Sequence, residues 1–370
     1  MRINSVERDE RALKLAWEDG TRQELPYIWL RDNDPGELHP DTKERIFDLT
    51  SVSLDIQPRE VTPASEGLRV RWPDRDEDSI YPLDWLIDRR LENPAQDPAI
   101  IEKISWRPES MTGIPTVSAK QCFNGDGLLE ALTHIKQSGI VIINELDDDP
   151  AAGERFGDLI GFKRESNFGV MFDVISKADP NNLAYTSIAL PLHTDLPNQE
   201  FVPGIQFLHC YKNSATGGGS VFADGMAITE DFKTSEPEHY ALLCETDVPW
   251  RFHDDSCDVR RRRAIIGLDK SGKFESFTFN AHLADVIDLP PEQIYPFYAA
   301  YQALMARIRS NDYNITHQLQ PGEMVIFDNL RVMHGRESFD PTTGDRHLRG
   351  YYIEHNEVES CIRMRSKQQH

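Results

Sequence analysis

The chain carries His193-Thr194-Asp195 and, far downstream, His334, with Arg346 twelve residues beyond it. If these residues act together, the fold must bring two imidazoles and a carboxylate from distant strands to one side of a point and leave the other side open. Two histidines and one carboxylate on one face of a metal are the facial triad of non-haem Fe(II) centres, whose remaining positions stay free. An arginine just beyond the second histidine suits the next need of such a centre. A chelating 2-oxo acid has a distal carboxylate, and a planar guanidinium holds a carboxylate in two parallel hydrogen bonds. His193, Asp195 and His334 are therefore the candidate catalytic and metal-binding residues, with Fe(II) as metal, 2-oxoglutarate and O2 as co-substrates, and Arg346 as the anchor of the 2-oxo acid.

Context gives the triplet its weight. His-x-Asp occurs three times, at His39/Asp41, His193/Asp195 and His253/Asp255. His39 follows the turn-forming Asp32-Asn33-Asp34-Pro35-Gly36, and His253 opens the polar run His253-Asp254-Asp255-Ser256, so both read as solvated loops. Only His193 follows an apolar, strand-like stretch, Leu183 to Leu192, able to hold ligands rigidly. Its partner His334 comes shortly after a second such stretch, Met324 to Asp328, which follows the turn Gln320-Pro321-Gly322.

With 370 residues the chain can form two domains, and its formal net charge of -22 argues against a nucleic-acid surface, which needs clustered Lys and Arg. No stretch approaches the roughly 20 apolar residues of a membrane span, and the start, Met1 to Glu7, lacks an apolar signal core. No membrane association and a cytoplasmic location are expected. Five cysteines, Cys122, Cys210, Cys244, Cys257 and Cys361, without close pairing make a disulfide framework improbable.

Residues 1–100 alternate short apolar runs with turns: Ala12 to Trp17, Pro26 to Leu30, Val52 to Ile56 and Leu68 to Trp72. They predict a small β-rich domain closed by a short helix near Pro82 to Leu86. Asn93 to Pro98 and Trp106 to Pro115 read as linker, and a second domain is expected over 115–370. There, helices are predicted over Gly125 to Gln137, from Asp149-Pro150 to about Ile160, and over Tyr295 to Arg309. Strands are predicted at Ile140 to Ile143, Gly204 to Tyr211, Gly219 to Ala223, Glu275 to Phe279, Met324 to Phe327 and Leu348 to Ile353. Arg363 to His370 reads as a frayed tail. The pattern is mainly β with flanking helices, and fits a double-stranded β-helix, a jelly-roll whose mouth can host a metal.

Asn182-Leu183-Ala184-Tyr185-Thr186, His193-Thr194-Asp195, Pro203-Gly204-Ile205-Gln206, Thr216-Gly217-Gly218, Phe327-Asp328-Asn329 and His334-Gly335-Arg336 occur in this order. Together they closely resemble the γ-butyrobetaine and trimethyllysine hydroxylases of the taurine dioxygenase-like superfamily. Trp29-Leu30-Arg31-Asp32-Asn33 matches that family's small leading domain. The resemblance implies 2-oxoglutarate bound at Arg346, Leu208 and Thr216, a small trimethylammonium substrate, and a homodimer. One departure is plain. The family's leading domain continues with clustered cysteines and a later histidine on a structural zinc, whereas here Asp34 to Pro40 holds no cysteine and no histidine occurs between Leu68 and Leu86. Structural zinc is expected to be absent, leaving that fold to a core that includes Trp29, Trp72 and Trp85.

A quaternary ammonium offers no hydrogen-bond donor and is held by aromatic faces. By the family pattern the cage is Phe168, Phe172, Tyr185 and Tyr352, although the same four aromatics can be read simply as core. Asn182 and Asn280 match positions near the substrate's anionic end, but the tyrosine that the family places after His-Thr-Asp is here Leu196. Asn167 and the run Arg260 to Arg263 are alternative anion contacts, the run reading also as a solvated face. With no zinc motif and an altered anion end, the chain looks most like the [2-(trimethylamino)ethyl]phosphonate dioxygenases, hydroxylating the carbon next to the anionic group. γ-Butyrobetaine hydroxylation, forming carnitine, is the alternative. A non-catalytic cupin-like metal-binding protein is a distant third, disfavoured by Arg346, and a halogenase is disfavoured because Asp195 fills the position a halide needs.

Overall fold

The computed structural model describes residues 1–90, 96–147, 149, 151–175 and 186–368. The chain divides into two compact units, Met1–Asp97 and Pro98–His370.

The first unit holds two antiparallel three-stranded sheets: Ile3–Arg8, Ala12–Trp17 and Arg22–Pro26, then Glu60–Ala64, Gly67–Arg71 and Ser79–Pro82. Alternation in Ala12–Trp17 sends Leu13, Leu15 and Trp17 into one core with Leu68, Val70, Trp72 and Tyr81. The expected closing helix forms at Leu83–Asp88. Pro26 to Leu30, grouped with the apolar runs of a β-rich module, instead enters a helix, Tyr27–Asp32, whose Tyr27, Leu30 and Arg31 are buried. A five-residue apolar run does not distinguish the two periodicities, and Pro26 pre-sets the turn into the helix. Val52 to Ile56 forms turns, of which Ile56 alone is buried. In the segment after Trp-Leu-Arg-Asp-Asn, the Asp34 carboxylate, fully buried, accepts from Arg75, Ser79 and the Gly36 amide, while Arg31 pairs with Asp74 at 2.7 Å and Glu37 at 3.0 Å.

The second unit is a sandwich of two sheets flanked by helices. The larger sheet runs Phe172–Ile175, Arg346–Ile353, Ile205–Asn213, Met324–Asp328, Ile140–Asn144, Thr116–Ser118, with Lys163–Arg164 also beside Arg346–Ile353. The smaller runs Leu190–His193, Val332–Arg336, Ser220–Asp224, Asn314–His317. Period-two alternation sorts the larger sheet's side chains. Val141, Ile143, Ile205, Phe207, Ile326, Tyr351 and Ile353 pack outward against helices Gly127–Ser138 and His355–Gln368, while Ile140, Ile142, Leu208, Val325, Phe327 and Leu348 face the second sheet. Burial on both faces explains why Ile140–Asn144 reads as a continuous apolar run. Behind the smaller sheet, Met333, Ala223 and Phe277 pack on helices Gly225–Ser235, Pro237–Glu245 and Pro291–Ile308.

Several expectations shift. The stretch from Trp106, expected as linker, is part of this unit: Trp106 is buried, its amide bonded to Asp224 and its indole N–H to the Ser138 carbonyl. The residues from Arg363, expected as a frayed tail, belong to the helix His355–Gln368, held by Val358, Cys361 and Ile362 at helical spacing. The helix expected from Asp149-Pro150 spans Ala152–Asp158, and Pro150 lies outside the described residues. All five cysteines are free thiols. Among the described residues no helix is long and apolar enough to cross a membrane.

Candidate active site

Strand register creates the centre. Leu190–His193 pairs antiparallel with Val332–Arg336 so that His193 lies opposite His334, and the two rings stand 4.3 Å apart. The Gly335 backbone passes so close to that strand that a Cβ there would meet the Leu190 carbonyl at 2.6 Å, which requires glycine beside the ligand. His193 Nδ1 lies 2.9 Å from the Pro191 carbonyl, an acceptor only, so this nitrogen carries the proton and Nε2 keeps its lone pair for a metal. Asp195 Oδ1 is 3.3 Å from His193 Nε2 and 3.7 Å from His334 Nε2, and its Oδ2 accepts from the Tyr352 hydroxyl at 2.6 Å.

The ligand atoms of the three residues all lie within 4.8 Å of one another, and no other such group of three converges among the described residues. Burial pushes the His334 imidazole down to about 3, His193 adding to the shift and Asp195 opposing it. Burial alone would raise the Asp195 carboxyl, but His334, His193 and the Tyr352 hydroxyl carry it below the usual carboxylate range. At neutral pH His334 thus offers a neutral imidazole and Asp195 a carboxylate. With His193 Nε2 they form a donor set that fits a divalent transition metal without first losing a proton at either shifted group.

These residues open onto a cavity of about 380 Å³. At one part of its wall stand Arg346 and Arg336. Burial lowers the Arg346 guanidinium to about 10, with Arg336 adding to the shift, and its Nε is buried with no hydrogen-bond partner among the described residues. No carboxylate among the described residues pairs with Arg346, so the cavity offers a desolvated cation to an incoming anion. Aromatic rings form another part: Phe172 lies 5.3 Å from Tyr352, and Phe168 meets Phe252 edge-on at 5.4 Å. Gly350 makes room for Phe172, since a Cβ there would lie 2.6 Å from its ring.

Of the residues expected at the site, His193, Asp195, His334, Arg346, Leu208, Phe168, Phe172, Asn280 and Tyr352 line this cavity. Asn280 spends its amide locally, donating to the Thr194 carbonyl at 3.2 Å and accepting from the His282 amide at 3.0 Å. Thr216 and Asn167 are exposed and off the lining: Thr216 sits on the short strand Thr216–Gly217, and Asn167 accepts from Gln199 at 3.0 Å. Arg260 to Arg263 form the strand Asp258–Arg263 and are committed elsewhere, Arg260 to Asp258, Arg261 to Glu200, Arg262 to Asp288 and Arg263 to backbone carbonyls. Asn182 and Tyr185 lie outside the described residues. The sequence reading missed Phe252, Gln206, Arg251 and His282, and it placed His253 in a solvated loop, whereas His253 ends the strand Val248–His253 and reaches the cavity. The alternation Val248, Trp250, Phe252 was the available signal.

Comparison with known proteins follows the two units. Residues 117–352 match the taurine catabolism dioxygenase TauD, TfdA family, and residues 4–87 the γ-butyrobetaine hydroxylase-like N-terminal domain. A γ-butyrobetaine dioxygenase of Pseudomonas sp. (strain AK-1) is 37% identical over 95% of this chain and 92% of its own, and that of Homo sapiens 31% identical over 95% and 94%. A solved asparagine oxygenase in complex with Fe(II), hydroxyasparagine and succinate shares the fold of the second unit, with a TM-score of 0.50 at 15% identity, covering 62% of this chain and 79% of its own. Likeness running through both units at these levels settles the assignment: the chain belongs to the TauD/TfdA family of dioxygenases.

Proposed function

We propose that the protein is an Fe(II)- and 2-oxoglutarate-dependent hydroxylase of a small trimethylammonium carboxylate, with γ-butyrobetaine as its substrate. The observation that carries this reading is one cavity holding the His193/Asp195/His334 group, the desolvated Arg346 and paired aromatic rings together. The near full-length likeness to γ-butyrobetaine dioxygenases supports the carboxylate. The phosphonate expected from the sequence finds no such support, and Leu196, on which it leaned, is one apolar member of a lining that also carries Arg251, His253 and His282.

His193, Asp195 and His334 would hold the iron, which, with 2-oxoglutarate and O2, supplies the oxidising power for C–H hydroxylation. The protein's own work is placement. Arg346 takes the distal carboxylate of 2-oxoglutarate, and the apolar Leu208 and Leu348 beside it exclude water from that ion pair. Phe168, Phe172, Phe252 and Tyr352 present ring faces to the onium group, which needs no hydrogen-bond acceptor, and Tyr185 is assigned to the same cage. Fixing the substrate's cationic end on the rings leaves one C–H bond facing the triad. The homodimer and the cytoplasmic location belong to the same reading and are checked by light scattering and cell fractionation.

Hydroxylated product per succinate, compared for γ-butyrobetaine, trimethyllysine and the trimethylammonium phosphonate, tests the proposal. Tightest coupling is expected with γ-butyrobetaine; efficient coupling with the phosphonate and succinate release without product from γ-butyrobetaine would overturn it. His193→Ala, Asp195→Ala and His334→Ala should each abolish turnover, and near-native succinate production by any of them would remove that residue from the centre.

A further inference from the structure

Asp195 lies beyond the end of the strand Leu190–His193. Its neighbour Leu196 has φ of +54°, a left-handed conformation that a branched side chain rarely adopts and that persists only where surroundings enforce it. The residue before it, Asp195, is held from the opposite sheet. Asn329, fully buried, directly follows the strand Met324–Asp328, every residue of which is buried. Its Oδ1 accepts from the Asp195 amide at 2.6 Å, and its Nδ2 donates to the Asp195 carbonyl at 3.1 Å and to the Pro203 carbonyl at 3.0 Å. One carboxamide thus engages both backbone polar groups of the residue that supplies the carboxylate. The Asn329 amide is itself bonded to the Gly204 carbonyl at 2.9 Å, so the clamp is fixed at its own end.

We propose that Asn329 is a positioning residue for the metal centre: its carboxamide fixes the Asp195 peptide so that Oδ1 points between His193 and His334. Asn329 touches neither substrate nor the reacting atoms; it acts through Asp195. Asparagine alone of the small residues offers an acceptor and a donor pair in one plane, matching the N–H and C=O of a single residue. Aspartate has the same size but would set a charged oxygen against two carbonyl oxygens, and serine is too short to bridge both groups.

The inference rests on the triad being the iron site, and metal binding separates the two. Anaerobic titration of the metal-free full-length protein with Co(II), read by its absorption spectrum, is carried out for wild type, His334→Ala, Asn329→Asp, Asn329→Ser and Ile326→Val. Asn329→Asp and Asn329→Ser are expected to bind Co(II) about 10- to 100-fold more weakly, the range seen when partners of metal ligands are removed. Ile326→Val loosens the same strand without touching the centre and should stay within about twofold of wild type, as a packing loss of this kind acts on stability. Undiminished binding by His334→Ala would overturn the triad itself. Loss in His334→Ala with wild-type affinity in both Asn329 variants would overturn the clamp alone, as would equal weakening in Ile326→Val. Should neither Asn329 variant fold, hydrogen exchange of the wild-type protein decides: the Asp195 amide must be protected like the amides of Met324–Asp328, and fast exchange there would refute the clamp.

Discussion

Arg346 shows most directly what one side chain contributes. Its guanidinium is desolvated and no described carboxylate pairs with it, so the energy of a charge-assisted pair is available to a ligand. Lysine at this position keeps the charge but loses the planar fork. Arg346→Lys is expected to raise the 2-oxoglutarate KM about tenfold or more, for a loss of about 1.5 kcal/mol or above. Steady-state kinetics at saturating γ-butyrobetaine check this, and an unchanged KM would assign the carboxylate to another residue. At the aromatic end, Phe252→Ala should weaken γ-butyrobetaine binding by about 1–2 kcal/mol while leaving 2-oxoglutarate affinity unchanged, because Phe252 supports Phe168 and lines the cavity where the proposed cage would hold the cation. The triad and Arg346 were legible because metal and carboxylate chemistry admit few residue types. Asn280 does line the cavity, but its commitment to Thr194 and His282 was not legible, since hydrogen-bond partners are chosen by tertiary contacts.

Elements differ in how openly they announce themselves. Ile140–Asn144, Ile205–Asn213 and Met324–Asp328 carry strong continuous apolar signals and form close to where they were expected, while the helix expected over Tyr295 to Arg309 begins a turn earlier, at Pro291. The helix His355–Gln368 is rich in charged residues and buries only Val358, Cys361 and Ile362, with ion pairs from His355 to Asp328 and from Glu359 to Lys136 holding it further, so a charge-rich segment concealed a structural one. Its anchor can be weighed. Ile362 is almost wholly buried against the outer face of the larger sheet, and Ile362→Ala should cost about 2–5 kcal/mol in urea unfolding. A cost below 0.5 kcal/mol would mean that the helix is indeed a loose tail. Trp106 was hidden for the converse reason: Pro-rich, irregular chain reads as linker even when one large ring and two hydrogen bonds fasten it to a core.

For the molecule as a whole, acid should be the damaging direction. Burial pushes His209 down to about 4 and His334 down to about 3, both from an ordinary value of 6.5. As pH falls from about 6.5, the unfolded chain takes up protons at these positions while the native protein does not, so stability is lost progressively down to the folded values and no further below them. His209 follows the lining residue Leu208 but points to the other face of the sheet, against Gly153, and His209→Leu is expected to recover roughly 2 kcal/mol of the stability the metal-free protein loses between pH 6.5 and pH 4. Urea midpoints at a series of pH values read this; parallel pH curves for variant and wild type would show that His209 carries none of the loss. The jelly-roll class was readable from the number of short strands. One part of the cavity's lining was not, because Phe252 and His253 reach it from a hairpin whose place in the fold no local pattern encodes. A last consequence comes from Gly350. On the reverse side of the strand wall against which Phe172 rests, Tyr351 stacks on Phe207 and packs tightly against helix Ala152–Asp158, so the wall resists yielding outward, and in the proposed cage the glycine would set the ligand girth. A methyl group at 350 would drive the Phe172 ring inward. Gly350→Ala should then shift preference from trimethylammonium toward dimethylamino analogues, making the discrimination of one methyl group a property of core packing.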